Sequence, residues 1–403
     1  MSSSGNSKVL SLNEKKRPGT AGRKKRIKRS GAGDFALTVL VMILVLFGIV
    51  MVFSASYYTA LIKENDPYFY FKKEILFAAT GLVLFIMLAM IDYHKILKWS
   101  YGIYILAVLL VAVTYTPLGG TYNGAARWIQ IGPLTLIPGE FAKLAVILLV
   151  ARWFSSKPDR IDKPVKGLLP VMAMAAVCVV LVAKQPSTTT ALTIAMILVI
   201  MLFVSGTNMK YMAALFGIGI AGGAAFLFKE MANGGYKSAR ITSFLDPFAD
   251  EKGDGYQVVQ GLYALASGGL KGVGPGNSVQ KNLHLPDPQN DFILAIIGEE
   301  LGYIGLLVLL AVYLLLIWRC VHIALRAPDL GGMLMASGIT IMLAGQVILN
   351  VMVVTSMMPP TGIALPFVSY GGTAMWLFMM AMGLIVNISR QQKAEPGEEG
   401  EQV

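Results

Sequence analysis

Charge is what this chain has least of. Asp, Glu, Lys and Arg make up 14% of its 403 residues, against roughly 25% in a soluble domain, while 55% of the residues are hydrophobic and mean hydropathy is +0.64. That deficit excludes a soluble globular domain and calls for the rules of membrane proteins. Cysteine is nearly absent. Cys178 and Cys320 lie far apart, in or at the end of apolar runs, which excludes a disulfide framework. Histidine is as scarce: His94, His284 and His322 are scattered and match no His/Cys metal spacing. Acid is scarcer than base, 23 residues against 34, but the imbalance is local. Residues 1–30 hold ten basic residues and one acid, Glu14, for a net +9, leaving +2 of the total +11 for the rest. The excess therefore belongs to a tail, and no nucleic-acid partner is expected. No internal repeat is visible. The first apolar run is long and far from the N-terminus, so it reads as an anchor and not as a cleavable signal peptide.

What is present is a succession of apolar runs. Spans fall near Phe35–Phe53, Ile75–Ile91, Tyr101–Tyr115, Phe141–Phe154, Leu168–Ala183, Thr188–Val204, Tyr211–Phe228, Phe292–Trp318, Met333–Val354 and Leu365–Ile388. Each approaches the ~20 residues that cross a bilayer as helix, and the runs are too continuous for a barrel's alternation. The expected fold is an all-α membrane protein of about ten transmembrane helices, with a large outer loop between the seventh and eighth. Short loops on one side hold Lys95, Lys98, Arg152, Lys157, Arg160, Lys163, Lys166, Lys210, Arg319 and Arg326; those on the other hold Lys63, Lys72, Lys73, Arg127 and Lys184. Ten against five places both termini inside. Residues 1–33 are expected to be a disordered basic cytoplasmic tail, 34–389 one membrane domain, and 390–403 a short acidic cytoplasmic tail. The cluster Arg23-Lys24-Lys25-Arg26 with Lys28 and Arg29 serves topology and attraction to anionic lipid.

Two outer segments are more than connectors. Residues 117–140 contain Gly124-Ala-Ala-Arg-Trp-Ile129. Residues 229–290 form a loop of about 60 residues, long enough to be functional, in which Val258, Val259, Leu262, Tyr263 and Ala266 are spaced for an interfacial amphipathic helix. The glycines of Gly272-Val-Gly274-Pro-Gly276 follow no strand and lack the P-loop Lys and Ser/Thr, so they read as a turn. Asp246, Asp250 and Asp254 are four apart and do not form an EF-hand loop. Arg240, Lys271 and Lys281 suit either an anion cradle or ordinary solvated loop cations.

Three acids are set at or in an apolar run: Asp291 at its mouth, Glu299 and Glu300 within. Acids in a membrane segment are costly and point to function. On a helix from Asp291, Glu299 lies ~12 Å deeper, so only Asp291 meets solvent and lipid head groups together. It reads equally as a helix N-cap or as a catalytic base. Glu140 and Lys143, at i and i+3, share a helix face as an ion pair or a cavity lining. Trp128 is an interfacial anchor, or with Arg127 a clamp for a head group.

At this point the chain resembles a known family. Gly268–Lys281, Leu-Pro-Asp-Pro-Gln-Asn-Asp-Phe-Ile (285–293), Gly-Glu-Glu-Leu-Gly (298–302), Arg-Ile-Thr-Ser-Phe-Leu-Asp-Pro-Phe-Ala-Asp (240–250), Gly255-Tyr-Gln257, Gly124–Ile129, Gly139-Glu-Phe-Ala-Lys-Leu144 and Pro360–Thr373 are similar, in order, to the SEDS proteins. These are the FtsW, RodA and SpoVE polymerases of bacterial cell-wall synthesis, and the Thr-Ser-Phe-Leu-Asp-Pro phrase and basic tail lean towards FtsW or SpoVE.

The resemblance implies a ten-helix peptidoglycan glycosyltransferase that joins lipid II into glycan strands at the outer face of the bacterial cytoplasmic membrane, at the division septum or in sporulation. It implies Asp291 as catalytic general base, inverting attack that releases a lipid pyrophosphate, and Arg127, Trp128, Glu140 and Lys143 as cavity residues. With these, Arg240 and Lys271 are expected to help bind substrate. A class B penicillin-binding protein and other divisome membrane proteins are the implied partners. A divalent cation, Mg or Mn, is the implied cofactor. The chain departs from the family at Gln289-Asn290, where His-Thr is usual, at Ile137-Pro138-Gly139, and at Gln185-Pro186-Ser187, where acids are missing; no metal ligand is assigned. A lipid II flippase and a non-catalytic division scaffold are the rival functions.

Overall fold

The computed structural model describes residues 33–117, 119–122, 125–131, 134–185, 187–219, 222, 244, 246–249, 253 and 255–392. The helices are α1 (Phe35–Glu64), α2 (Phe69–Met90), α3 (Tyr93–Lys98), α4 (Ser100–Val113), α5 (Pro138–Ser156), α6 (Leu169–Lys184), α7 (Thr188–Val204), α8 (209–219), α9 (Tyr256–Gly268), α10 (Ile293–Leu325), α11 (Leu330–Val354) and α12 (Gly372–Ser389). Continuous apolar sequence leaves helix as the way to satisfy every backbone group without water. Among the described residues, α1, α2, Pro164–Lys184, α10, α11 and α12 are long and apolar enough to cross a membrane, and α4 and α7 are shorter apolar helices.

The bundle is built around α5. Residues Ala142–Ala151 are buried without interruption, the mark of a helix surrounded on all sides. It packs against α4, α7 and α11, and α12 lies along α2. Lys143 is thereby carried into the middle of the molecule.

The all-helical expectation needs one correction. Residues 119–136 form a three-stranded antiparallel sheet, β1 (Gly119–Tyr122), β2 (Ala125–Ile131) and β3 (Leu134–Leu136), in the order β1-β2-β3. Arg-Trp-Ile-Gln-Ile is aromatic and β-branched with alternating polarity, a pattern that fits a pleated surface. The strands are too short to register as an apolar span. Trp128 pairs with Gly120, and Ile129 with Gly119 on one side and Leu136 on the other.

The last helix also begins later than the apolar run. It starts at Gly372 instead of Leu365, because Pro359, Pro360 and Pro366 with Gly362 and Gly371 break the stretch before it. Helix α9 forms as its spacing predicts, but it packs on α10 with Val258, Val259 and Ala264 buried, while Tyr263 and Ala266 face outward.

One end of the bundle gathers the start of α1 and the end of α12. Asp34 caps α1, accepting from Leu37 N at 2.9 Å and from Arg319 Nε at 2.7 Å, and its own N–H donates to Ser389 Oγ at 3.0 Å. The connector α3 is latched at the same end. His94 stands between two carboxylates, Nδ1 at 2.8 Å from Asp92 and Nε2 at 2.7 Å from Asp329, which also accepts from Tyr93 OH at 2.8 Å. The bond to Asp329 raises the imidazole pKa against the opposing effect of burial, and Asp92 adds to the rise. Burial opposes ionisation of Asp329 too, but His94, the Gly332 N–H and Tyr93 outweigh it and hold the carboxyl at about 2. A raised His pKa means stability that is full below the unfolded value and lost as pH rises through the folded one. Thermal unfolding of the wild type and His94→Gln at about pH 5.5 and about pH 9 should therefore show a gap that narrows at the higher pH, the unfolded imidazole titrating near 6.5. A gap independent of pH would make the latch uncharged.

Candidate active site

The site begins with a break in α10. Gly302 has φ 67° and ψ −172°, outside helical values, so the helix is interrupted about two and a half turns inside its start. The groups that the break frees are taken by the preceding loop. Val273 N donates to Glu299 O at 2.9 Å, Gly274 N to Glu300 O at 3.0 Å, and Tyr303 N to Gly269 O at 2.9 Å. Such repair is what makes a broken helix tolerable away from water. It requires close backbones: a Cβ on Gly302 would lie 2.3 Å from Gly272 N. The glycine run 272–276 is thus a patch on a broken helix.

The two inner acids anchor the same loop. Glu299 accepts from Ser278 Oγ and from Val279 N at 2.9 Å. Glu300 binds Lys281 Nζ at 2.8 Å and Ser54 Oγ at 2.7 Å, with both charged side chains almost completely buried. Lys281 is therefore no part of an anion cradle.

Held this way, the chain delivers Asp291 to the mouth of the bundle. Helix α10 begins at Ile293 with Phe292 in the cap position and no side-chain cap bond, so Asp291 sits one residue outside it. Asn350 of α11 fixes the backbone there. Its Nδ2 donates to Asp291 O at 2.9 Å and to Ile363 O at 2.7 Å, tying the acid's segment to the loop before α12. Gly362, with φ 70°, turns that loop beneath the carboxylate: a Cβ on it would be 3.8 Å from Asp291 Oδ2.

Asp291 opens into a cavity of about 380 Å³ that collects most of the expected residues. From α5 come Glu140 and Lys143, an ion pair at 2.7 Å; Lys143 also donates to Gln346 Oε1 at 2.7 Å, and Gln346 Nε2 to Ala364 O at 3.1 Å. From β2 come Arg127 and Trp128, the guanidinium carbon 4.3 Å from the indole centroid. Ser187, Thr190 and Thr193 line the wall formed by α7 and its N-terminal approach, and Thr135 and Thr373 add two further hydroxyls. Lys73 of α2 completes the cations, its Nζ 4.1 Å from the Phe69 ring centroid. Among the described residues Lys73 forms no ion pair. Lys271 is exposed and is not part of this lining, and Arg240 lies outside the described residues.

Sequence reasoning missed Lys73, Gln346 and Asn350. Gln346 and Asn350 lie one turn apart in an otherwise apolar helix, a signal that was available. Lys73 was counted as a loop charge because α2 starts six residues before its apolar run. As for a metal, no three His, Cys, Asp or Glu side chains cluster as a donor set among the described residues. The cavity offers two carboxylates, and Glu140 is already paired with Lys143. These residues do not fit a bound divalent ion.

The FtsW/RodA/SpoVE family model, described as "Cell cycle protein", matches residues 35–394. The chain belongs to this family. Among FtsW/RodA/SpoVE proteins, it is 37% identical over 361 residues to the stage V sporulation protein E of Bacillus subtilis, covering 89% of this chain and 98% of that one. It is 37% identical over 364 residues to the probable peptidoglycan glycosyltransferase FtsW of Trichlorobacter lovleyi, covering 90% and 94%. The fold is likewise that of the FtsW/RodA/SpoVE family. Thermus thermophilus RodA matches with a TM-score of 0.65 and 26% identity over 90% of this chain and 99% of that one. A chain in a peptidoglycan synthase complex described for coordinating polymerization and crosslinking matches with a TM-score of 0.73 and 28% identity, covering 89% and 98%.

Proposed function

We propose that this chain is a peptidoglycan glycosyltransferase that polymerises lipid II at the outer face of the bacterial cytoplasmic membrane, during division or sporulation. The observation that carries it is the meeting of Asp291 with Lys73, Arg127–Trp128 and the Glu140–Lys143 pair in one cavity. The relatives' names agree with the reaction class. In the orientation proposed, ten helices cross the membrane with both termini inside, and 229–290 is the outer loop between the seventh and eighth. The cavity then opens at the end remote from Asp34 and Ser389.

Asp291 acts as general base. It takes the proton of an acceptor sugar's 4-hydroxyl, whose oxygen attacks the anomeric carbon of the lipid-linked donor with inversion. The bond to the lipid pyrophosphate breaks with its electrons, and the charge growing on that leaving group needs cations already in place. Lys143 is neutralised by Glu140, so it orders the floor of the cavity. Lys73 and Arg127 are the side chains suited to the pyrophosphate, and the hydroxyls of Ser187, Thr190 and Thr193 to the sugars. A class B penicillin-binding protein is the proposed partner that crosslinks the product. A flippase would use Glu299 and Glu300 to mark a polar path, but both are spent on anchoring the 278–281 loop.

Purified protein with its class B partner should convert labelled lipid II to glycan polymer. Failure to polymerise, with lipid II translocation in its place, would overturn the assignment. Lys73→Met should lower polymerisation roughly 10–100-fold, the worth of one charge-assisted bond of about 1.5–3 kcal/mol. An unchanged rate would remove Lys73 from the anion site.

A further inference from the structure

The end of the bundle remote from the cavity carries a second recess. There α1 and α10 leave a groove of about 410 Å³ lined by Phe35, Ala36, Val39, Leu315 and Trp318, with Arg319 at its edge. Phe35 and Trp318 are 79% and 59% exposed, so the groove opens outward from the bundle. Its one charged group is held firmly in place. Arg319 Nε donates to Asp34 Oδ2 at 2.7 Å, and Asp34 Oδ1 is used by Leu37 N. The two Nη groups of Arg319 make no hydrogen bond with any described residue. A guanidinium pinned by Nε and open at both Nη atoms presents the fork that matches a phosphate.

Charge nearby has the right sign. Asp34 balances Arg319 itself, but Arg23-Lys24-Lys25-Arg26 with Lys28 and Arg29 lies just upstream. Arg29 is five residues from Asp34, no more than ~18 Å along even a fully extended chain. Polybasic segments beside a membrane helix attract anionic lipid head groups. An apolar channel, a phosphate-shaped donor at its edge and a basic segment within reach together describe an amphiphile with a hydrocarbon chain and a negative head. We propose that the α1–α10 groove binds one anionic phospholipid, an acyl chain lying over Phe35, Val39 and Leu315 and the phosphodiester against Arg319. A neutral lipid would fill the groove without using the charges, and a free phosphate would leave the apolar wall uncovered.

The test uses Trp318 as the reporter. The full chain is placed in nanodiscs of phosphatidylcholine containing a small fraction of chain-brominated phosphatidylglycerol or chain-brominated phosphatidylcholine. The fluorescence of Trp318→Phe is subtracted to isolate Trp318. Quenching by the anionic lipid is expected to exceed that by the neutral lipid roughly fivefold, the effect of about one basic contact. The preference should vanish in Arg319→Gln. Ala36→Phe, which fills the groove and leaves the Arg319–Asp34 pair intact, should abolish it as well and guards against misfolding of the first variant. Equal quenching of the wild type by both lipids would overturn the site, leaving only annular lipid. A preference that survives in both variants would also overturn it, assigning the attraction to the basic tail alone.

Discussion

Asp291→Asn is expected to lower glycan polymerisation by about 10²–10⁴, the contribution of a positioned general base, with little change in folding. The amide keeps the size and shape of the side chain but cannot accept the proton of the attacking hydroxyl. The substitution leaves in place the bond from Asn350 Nδ2 to Asp291 O, which goes to the backbone. Helix α10 also starts beyond Asp291, at Ile293, and so does not depend on it as a cap residue. Polymer length and amount from labelled lipid II, read beside unfolding midpoints of the two proteins, separate chemistry from stability. Equal polymer from a folded variant would make Asp291 a structural residue and send the search for a base to the other groups of the outer face.

Breaking the Lys281–Glu300 pair should produce the largest loss of stability. Lys281→Met leaves the Glu300 carboxylate buried, with Ser54 Oγ as its remaining bond. Removing one partner of a buried pair costs roughly 3–5 kcal/mol, because the other charge keeps its desolvation penalty without its attraction. The damage should be local at first. The loop held by Glu299 and Glu300 also supplies the backbone bonds that patch α10 at Gly302, so its release should expose the 269–281 segment to proteolysis before the bundle unfolds. The double variant Lys281→Met/Glu300→Gln tests the cause. If uncompensated charge dominates, the double change should cost less than Lys281→Met alone, measured by thermal unfolding in detergent. A double variant less stable than either single one would mean that the packed shape of the pair, and not its charge, holds the loop.

Both expectations depend on features of unequal visibility in the sequence. Glu299 and Glu300 were visible as acids in an apolar run, and their cost marked them as important, but the same cost fits a transport path or a structural anchor. Only the folded chain decides, because Ser278, Val279 and Lys281, about twenty residues earlier, turn back onto them. Asp291 was visible for its position at the mouth of the run. The structure puts Phe292 in the cap position and Asp291 at the cavity, and the base is the role proposed for it. Lys73 was hidden because hydropathy marks where a helix becomes apolar and not where its hydrogen bonding begins.

The sequence by itself determined the membrane class, the predominance of helix and the set of motifs, because apolar runs of this length have few ways to satisfy their backbones and because several long motifs recur in family order. It also placed the charge of the tail. The tertiary structure alone decided which charges are already paired and which face the cavity, since that depends on neighbours far away in the chain. Lys143 meets Gln346, Asn350 meets Asp291, and Lys281 meets Glu300 only after the bundle has closed. It also decided the small sheet and the late start of α12. Three short strands leave too few residues for a periodic signal, and prolines in an apolar run change its conformation without changing its hydropathy.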